Sequence, residues 1–167
     1  MASLSVDAAS PDEARAWLRA CCGSTRWVER MLQRRPFGNA ETLLAAAREV
    51  WFALEPADWK EAFAAHPKIG DRAALRKRFP DTAHLAAREQ AGVDGASGDV
   101  LSALAEGNLA YERRFGFIFI VCASGLTAEE MLQMLQARLH NDPVTELRIA
   151  AEEQAKITAL RLARSTG

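Results

Sequence analysis

The residue of this 167-residue chain best equipped for chemistry at neutral pH is His66, one of three histidines. It stands in His66-Pro67-Lys68-Ile69-Gly70-Asp71, directly after an apolar helical run. Proline disfavours α geometry in the residue before it, so the preceding helix should stop at or just before His66. Trp59, Phe63 and His66 are spaced i, i+4 and i+7 and share one helical face. That sets the imidazole at the inner edge of the core, at a helix C-terminus, and Gly70 then lets the chain turn tightly. An imidazole held there, titrating near neutrality, suits proton transfer. The same spacing also fits a core histidine bonded to a backbone carbonyl, and spacing alone does not separate the two.

Two other groups share this ambiguity. Glu89, followed by Gln90, comes late in a short helical stretch beside Leu85. It is either a solvated acid or a partner for His66 and an acceptor for substrate N–H groups. Arg161 lies on the inward stripe of the last helix, where it either snorkels into a salt bridge or clamps a carboxylate or ureido oxygen in bidentate fashion. Lys68, Arg72, Arg76, Lys77 and Arg78 form a basic run that reads as a solvated face or as a lure for an anionic ligand. Metal chemistry finds no support. His84 and His140 have no helical ligand spacing to each other or to His66, and Cys21, Cys22 and Cys122 form no Cys-x-x-Cys. Gly-x-Ser-x-Gly, a phosphate loop and a dinucleotide fingerprint are all absent. Cofactor-free chemistry, or none, is what remains.

The totals narrow the class further. A length of 167 residues fits one domain with a respectable core, and 49% apolar with 26% charged residues is a globular composition. The net charge of −1 gives no push toward nucleic acid or an anionic membrane. No apolar run reaches membrane-spanning length, and no basic-then-apolar leader opens the chain. Sparse cysteines read as small buried thiols, so cytoplasm is the expected location.

The elements that must position these residues are nearly all helical. After a loose lead-in over residues 1–10, Ser10 caps a helix with Pro11 at its first position, running to about Cys22 with Ala14, Trp17, Leu18 and Cys21 inward. Ser24 opens a second helix, which Pro36-Phe37-Gly38 stops. Asn39 caps a third, with Leu43, Leu44, Ala47, Val50, Trp51 and Leu54 as its stripe, and Pro56 starts the fourth, which leads into His66. Short helices are expected over Arg72–Phe79 and from Asp81 or Thr82 to Gln90. Ser97 or Asp99 opens a long helix with Leu101, Leu104, Asn108, Tyr111 and Phe115 on one face; Asn108 should be buried and hydrogen-bonded. Phe117 to Ala123 has strand-like composition but no partner strand, and reads as an irregular or helical buried segment. Thr127 to Glu130 is a capping box, and Asp142-Pro143 opens the last helix, with Leu147, Ala150, Gln154, Ile157 and Arg161 on one stripe. The fold class is all-α: a single-domain bundle of about eight helices spanning residues 1–167.

Five motifs then fall in a telling order: His66-Pro67-x-x-Gly70, Glu89-Gln90-x-Gly92, Asn108-x-x-Tyr111-x-x-x-Phe115-Gly116-Phe117, Arg138-Leu139-x-Asn141 and Ile157-x-x-Leu160-Arg161-Leu162. With Arg35-Pro36-Phe37, and over roughly residues 11–164, the chain resembles the OHCU decarboxylases. OHCU is 2-oxo-4-hydroxy-4-carboxy-5-ureidoimidazoline, an unstable intermediate of urate breakdown that the family converts to (S)-allantoin and CO2. The resemblance implies an all-helical homodimer with no metal or organic cofactor and a small anionic substrate. It implies His66 as catalytic histidine, Glu89 as active-site acid and Arg161 as substrate-binding arginine. Pro67 and Gln90 would line the pocket, and the backbone of Phe119, Ile120, Val121, Cys122 and Ala123 would meet the flat heterocycle. One position departs from the pattern: where many members carry a serine three residues before the glutamate, this chain has Ala86.

Two rivals accompany this reading. One is an enzyme acting on a related ureido compound. The other is a non-catalytic helical module in which His66 and Glu89 are buried polar groups. A DNA-binding role is weaker, because the basic run is short and balanced elsewhere by acids.

Overall fold

The computed structural model describes residues 4–66 and 98–166, and among these it contains eight helices and no strand. They are α1 (Ser5–Ala8), α2 (Pro11–Cys21), α3 (Thr25–Gln33), α4 (Ala40–Phe52), α5 (Pro56–Ala64), α6 (Gly98–Phe115), α7 (Ala128–Arg138) and α8 (Pro143–Thr166). The all-α class is therefore as expected. The helices expected over Arg72–Phe79 and up to Gln90 lie outside the described residues, as does the basic run from Lys68 to Arg78. The chain gathers into two compact units, one of residues 1–65 with 155–167 and one of His66–Gln154.

In the first unit local sequence sets the helix starts. The Ser10 side chain accepts from the Glu13 amide, that of Ser24 from Trp27 and that of Asn39 from Thr42, so each cap satisfies a donor that the helix cannot. Pro56 begins α5, and the Glu55 amide donates to Asp58 Oδ2. The core is apolar: Leu18, Trp27, Met31, Leu43 and Phe63 are fully buried, each contributing about 1.5–3 kcal/mol by leaving water. Trp27 Nε1 donates to the Ala47 carbonyl, and Trp51 packs between Trp59 and Phe63. Trp17, expected inward, is only half-buried. A cavity of about 360 Å³ lies between Leu44, Ala47 and Trp51 of α4 and Ala155, Thr158 and Ala159 of α8.

The lead-in departs from expectation. Residues 5–8 form α1, with Val6 buried. Arg35 Nη1 donates to the carbonyls of Val6 (2.8 Å) and Ala9 (2.9 Å), while the Asp7 carboxylate accepts from the amides of Phe37 and Gly38. Such a tie between residues some 30 apart leaves no trace in local periodicity, which is why the segment reads as loose.

The second unit is built on α6, α7 and the first half of α8. Gly107 lets α6 and α7 approach closely: a Cβ there would fall 2.5 Å from Leu135 Cδ2. Gly116, at φ +83°, ends α6 in a conformation that other residues rarely adopt. Leu104, Asn108 and Tyr111 are buried as expected, and Asn108 Nδ2 donates to the Leu104 carbonyl. Leu101 is instead 37% exposed. Residues 118–123 are irregular, with Phe119, Ile120, Val121 and Ala123 buried and Cys122 half-buried. Thr127 and Glu130 form the expected capping box, and Asp142 caps α8 through Thr145. Among the described residues no helix is long and apolar enough to cross a membrane.

Candidate active site

His66 comes two residues after α5 ends, half-buried, so the pre-proline position terminates the helix as the sequence requires. Its Nε2 lies 2.5 Å from Oε1 of Gln154, a fully buried residue of α8. An amide oxygen only accepts, so the contact is a hydrogen bond when Nε2 carries the hydrogen. The neighbouring residue, Glu153, is also buried, and its Oε1 accepts from the Cys122 amide at 3.1 Å. Two consecutive side chains thus reach the histidine and the irregular segment.

A second anchor grips that segment from α7. Arg138 Nη1 donates to the Ile120 carbonyl at 2.7 Å, and its guanidinium stands 4.6 Å from the centre of the Phe119 ring. Nε of the same arginine donates to Glu146 Oε1 at 2.6 Å. Glu146 is fully buried and also accepts from the Tyr111 hydroxyl (2.5 Å) and from Asn141 Nδ2 (3.0 Å). Burial and the bond to Glu146 push the Tyr111 hydroxyl well above its usual range, which keeps it a donor. Tyr111 also meets the rings of Phe115, Phe117 and Phe119. The motif residues Arg138, Asn141 and Tyr111 therefore belong to one buried network that seats the 118–123 backbone.

Of the residues singled out from sequence, His66 and Phe119 to Ala123 fall in this unit and are linked through Glu153 and Gln154. The Cys122 amide and the Ile120 carbonyl both have intramolecular partners. Arg161 belongs to the first unit, half-buried on α8, close enough to Cys22 to favour its thiolate; burial dominates all the same and lifts that thiol to about 11. Pro67, Ala86, Glu89 and Gln90 lie outside the described residues. Sequence reading missed Glu146 and Glu153 because helical acids are normally solvated. The available signal was their spacing: with Ala150 and Ile157 they form the i, i+4, i+7, i+11 stripe of a buried face, and Leu147, placed inward, is half-buried instead. Among the described residues no group of three His, Cys, Asp or Glu side chains could hold a metal ion.

What this arrangement offers is a hydrogen-bonded imidazole and a buried, non-repetitive backbone segment among described residues that are otherwise mainly helical, the furniture of a small enzyme site. A sequence model of OHCU decarboxylase matches residues 7–163. The crystal structure of an OHCU decarboxylase in the presence of (S)-allantoin is 39% identical, with a TM-score of 0.76 over 90% of this chain and 96% of that one. The 2-oxo-4-hydroxy-4-carboxy-5-ureidoimidazoline decarboxylase of Amia calva is 35% identical over 128 residues, 77% of this chain and 73% of that protein. The uric acid degradation bifunctional protein TTL of Arabidopsis thaliana is 40% identical over 147 residues, 87% of this chain but 45% of the plant protein, so the chain spans less than half of that relative. The chain belongs to the OHCU decarboxylase family, decarboxylating lyases of urate degradation.

Proposed function

We propose that this chain converts OHCU to (S)-allantoin and CO2 without a metal or organic cofactor, with His66 as general acid/base. The observation that carries the reading is the half-buried imidazole fixed behind α5 by Gln154 in a chain that matches the family almost throughout. The substrate bears a carboxylate on a carbon that also carries a hydroxyl. The bond to the carboxylate breaks, CO2 leaves, and the electron pair passes into the conjugated ring. His66 either takes the hydroxyl proton or delivers the proton that sets the (S) product. By the family resemblance, Glu89 orients His66 and accepts from ring or ureido N–H groups, and Arg161 binds the anionic substrate. Pro67, Gln90 and Ala86 line the pocket, and the Phe119–Ala123 backbone meets the heterocycle.

The two units together act as one OHCU decarboxylase domain in this reading, supported by a family match that runs through both. Homodimeric assembly follows from the same resemblance. A cytoplasmic location is supported by three cysteines that form no disulfide.

Freshly generated OHCU, followed by circular dichroism, tests the activity. Rapid formation of one hand of allantoin supports it; decay at the uncatalysed rate to racemic product leaves the binding-module reading. His66→Asn should fold normally and lose roughly 10²–10⁴ of the rate, the usual share of positioned acid–base catalysis. Near-native turnover by that variant removes His66 from the mechanism. Arg161→Ala should raise KM far more than it lowers the midpoint of urea unfolding. The reverse ranking would make Arg161 a structural residue.

A further inference from the structure

We propose that Glu153 and Gln154 are a positioning pair for the decarboxylation. Gln154 fixes the tautomer and aim of His66, and Glu153 fixes the 119–123 backbone at Cys122. The inference rests on the preceding reading of what His66 and that backbone do, and nothing in the family resemblance gives either residue a role.

Four observations carry it. The two residues are consecutive on α8, yet one reaches His66 and the other the Cys122 amide. Both are buried, Gln154 completely and Glu153 to 6% exposure, where an amide and a carboxylate are costly and an aliphatic side chain would pack at no such cost. Neither is needed to form α8, whose cap at Asp142, proline at its first turn and alanine-rich interior already favour a helix. Finally, their hydrogen bonds go to two segments far apart in sequence, residue 66 and residue 122, that are both assigned to substrate.

The chemical consequence is specific. Neutral imidazole exists as two tautomers, and a general base needs its lone pair on one chosen nitrogen. Gln154 Oε1 can only accept, so in the neutral ring it favours the Nε2–H form. The pairing is neutral, so Gln154 itself adds no preference for imidazolium. Glu153 does the matching task for the backbone: a carboxylate on the Cys122 amide makes a charge-assisted bond that pins an otherwise non-repetitive segment.

Nitrogen-15 spectra of histidine-labelled protein test the Gln154 half without substrate. His66 is assigned by its loss in His66→Asn, and the spectrum is recorded at a pH where the ring is neutral. The native protein should show His66 as the Nε2–H tautomer; an Nδ1–H form overturns the proposal even if the protein is a fully active decarboxylase. Gln154→Leu should give a mixture of tautomers and lower kcat about 10–100-fold, with KM within about threefold, the scale typical of a lost orienting partner. An unchanged tautomer with unchanged kcat sinks it. For Glu153, amide exchange is the readout: in Glu153→Leu the Cys122 amide should exchange at least about tenfold faster while KM rises. Native-like exchange at Cys122 refutes the anchoring role. If native spectra and exchange come out as expected but OHCU is not turned over, the functional reading fails and the positioning geometry stands.

Discussion

The two units solve the problem of a stable interior in opposite ways. In the first, the buried set among the described residues is almost wholly apolar, with Ser24 and Thr158 as its polar members, and ion pairs such as Arg15–Glu29 and Arg34–Glu49 lie at the surface. In the second, Arg138, Glu146, Glu153, Gln154 and Asn108 are all buried. A buried ion pair seldom stabilises a fold relative to hydrophobic packing, because desolvation offsets the attraction. Its presence therefore points to a task that apolar groups cannot do. Here that task is to hold an irregular backbone, whose amides and carbonyls no helix satisfies.

The strongest attack on this contrast removes Glu146. Glu146→Ala strands the Arg138 guanidinium in the interior and should cost roughly 3–5 kcal/mol in urea unfolding. A loss below about 1 kcal/mol would mean that the network is not what holds the second unit. The double variant Arg138→Met/Glu146→Leu sharpens the point. It should recover much of that stability and still turn over OHCU poorly, since the Ile120 carbonyl has lost its anchor.

Thiol chemistry gives a smaller contrast. Cys21 and Cys22 sit in the dry interior of the first unit, and burial holds the Cys22 thiol near 11, while Cys122 is half-buried in the irregular segment. At pH 8 a maleimide should modify Cys122 well before the other two in folded protein. Faster labelling of Cys22, read by peptide mass mapping, would show that the first interior is not closed.

The smallest effect is expected at the surface. Arg34 donates to Glu49 and, chiefly through that bond, holds its carboxyl below the usual 4.5. A depressed folded value means that the pair's contribution is complete above the unfolded value and disappears as pH falls through the folded one. Arg34→Ala should leave neutral stability almost unchanged and slightly flatten the acid limb below about pH 4.5. A marked loss at pH 7 would contradict the view that surface pairs matter little here.

Legibility in the sequence divides along the same line. Helix starts were readable because capping is local: Ser10 with Pro11, Ser24, Asn39, the Thr127–Glu130 box and Asp142 with Pro143 each declare themselves within four residues. That 117–123 is buried and not a strand was readable too, from β-type composition with no partner strand, while the choice between irregular and helical stayed open. What stayed hidden was non-local. α1 is held by Arg35 and Asp7 across some 30 residues, and the acids of α8 are inward only because Arg138 and the Cys122 amide meet them. Periodicity assigns a face to a helix but cannot say that the face carries charge. For His66, spacing left two readings open, and a side-chain partner 88 residues away was beyond its reach.

The first unit is also discontinuous in sequence, and this bears on how the chain is made. Residues 4–65 leave the ribosome first, yet α4 shares a cavity lining with residues 155–159 of α8, which emerge only after residues 66–154. At roughly 5–20 residues per second that interval lasts about 4–18 seconds. During it the α4 surface around Leu44, Ala47 and Trp51 has no α8 to cover it. The N-terminal helices thus cannot close that side of their unit until residues 155–159 have been translated, and a ribosome stalled anywhere in residues 66–154 leaves the unit unfinished.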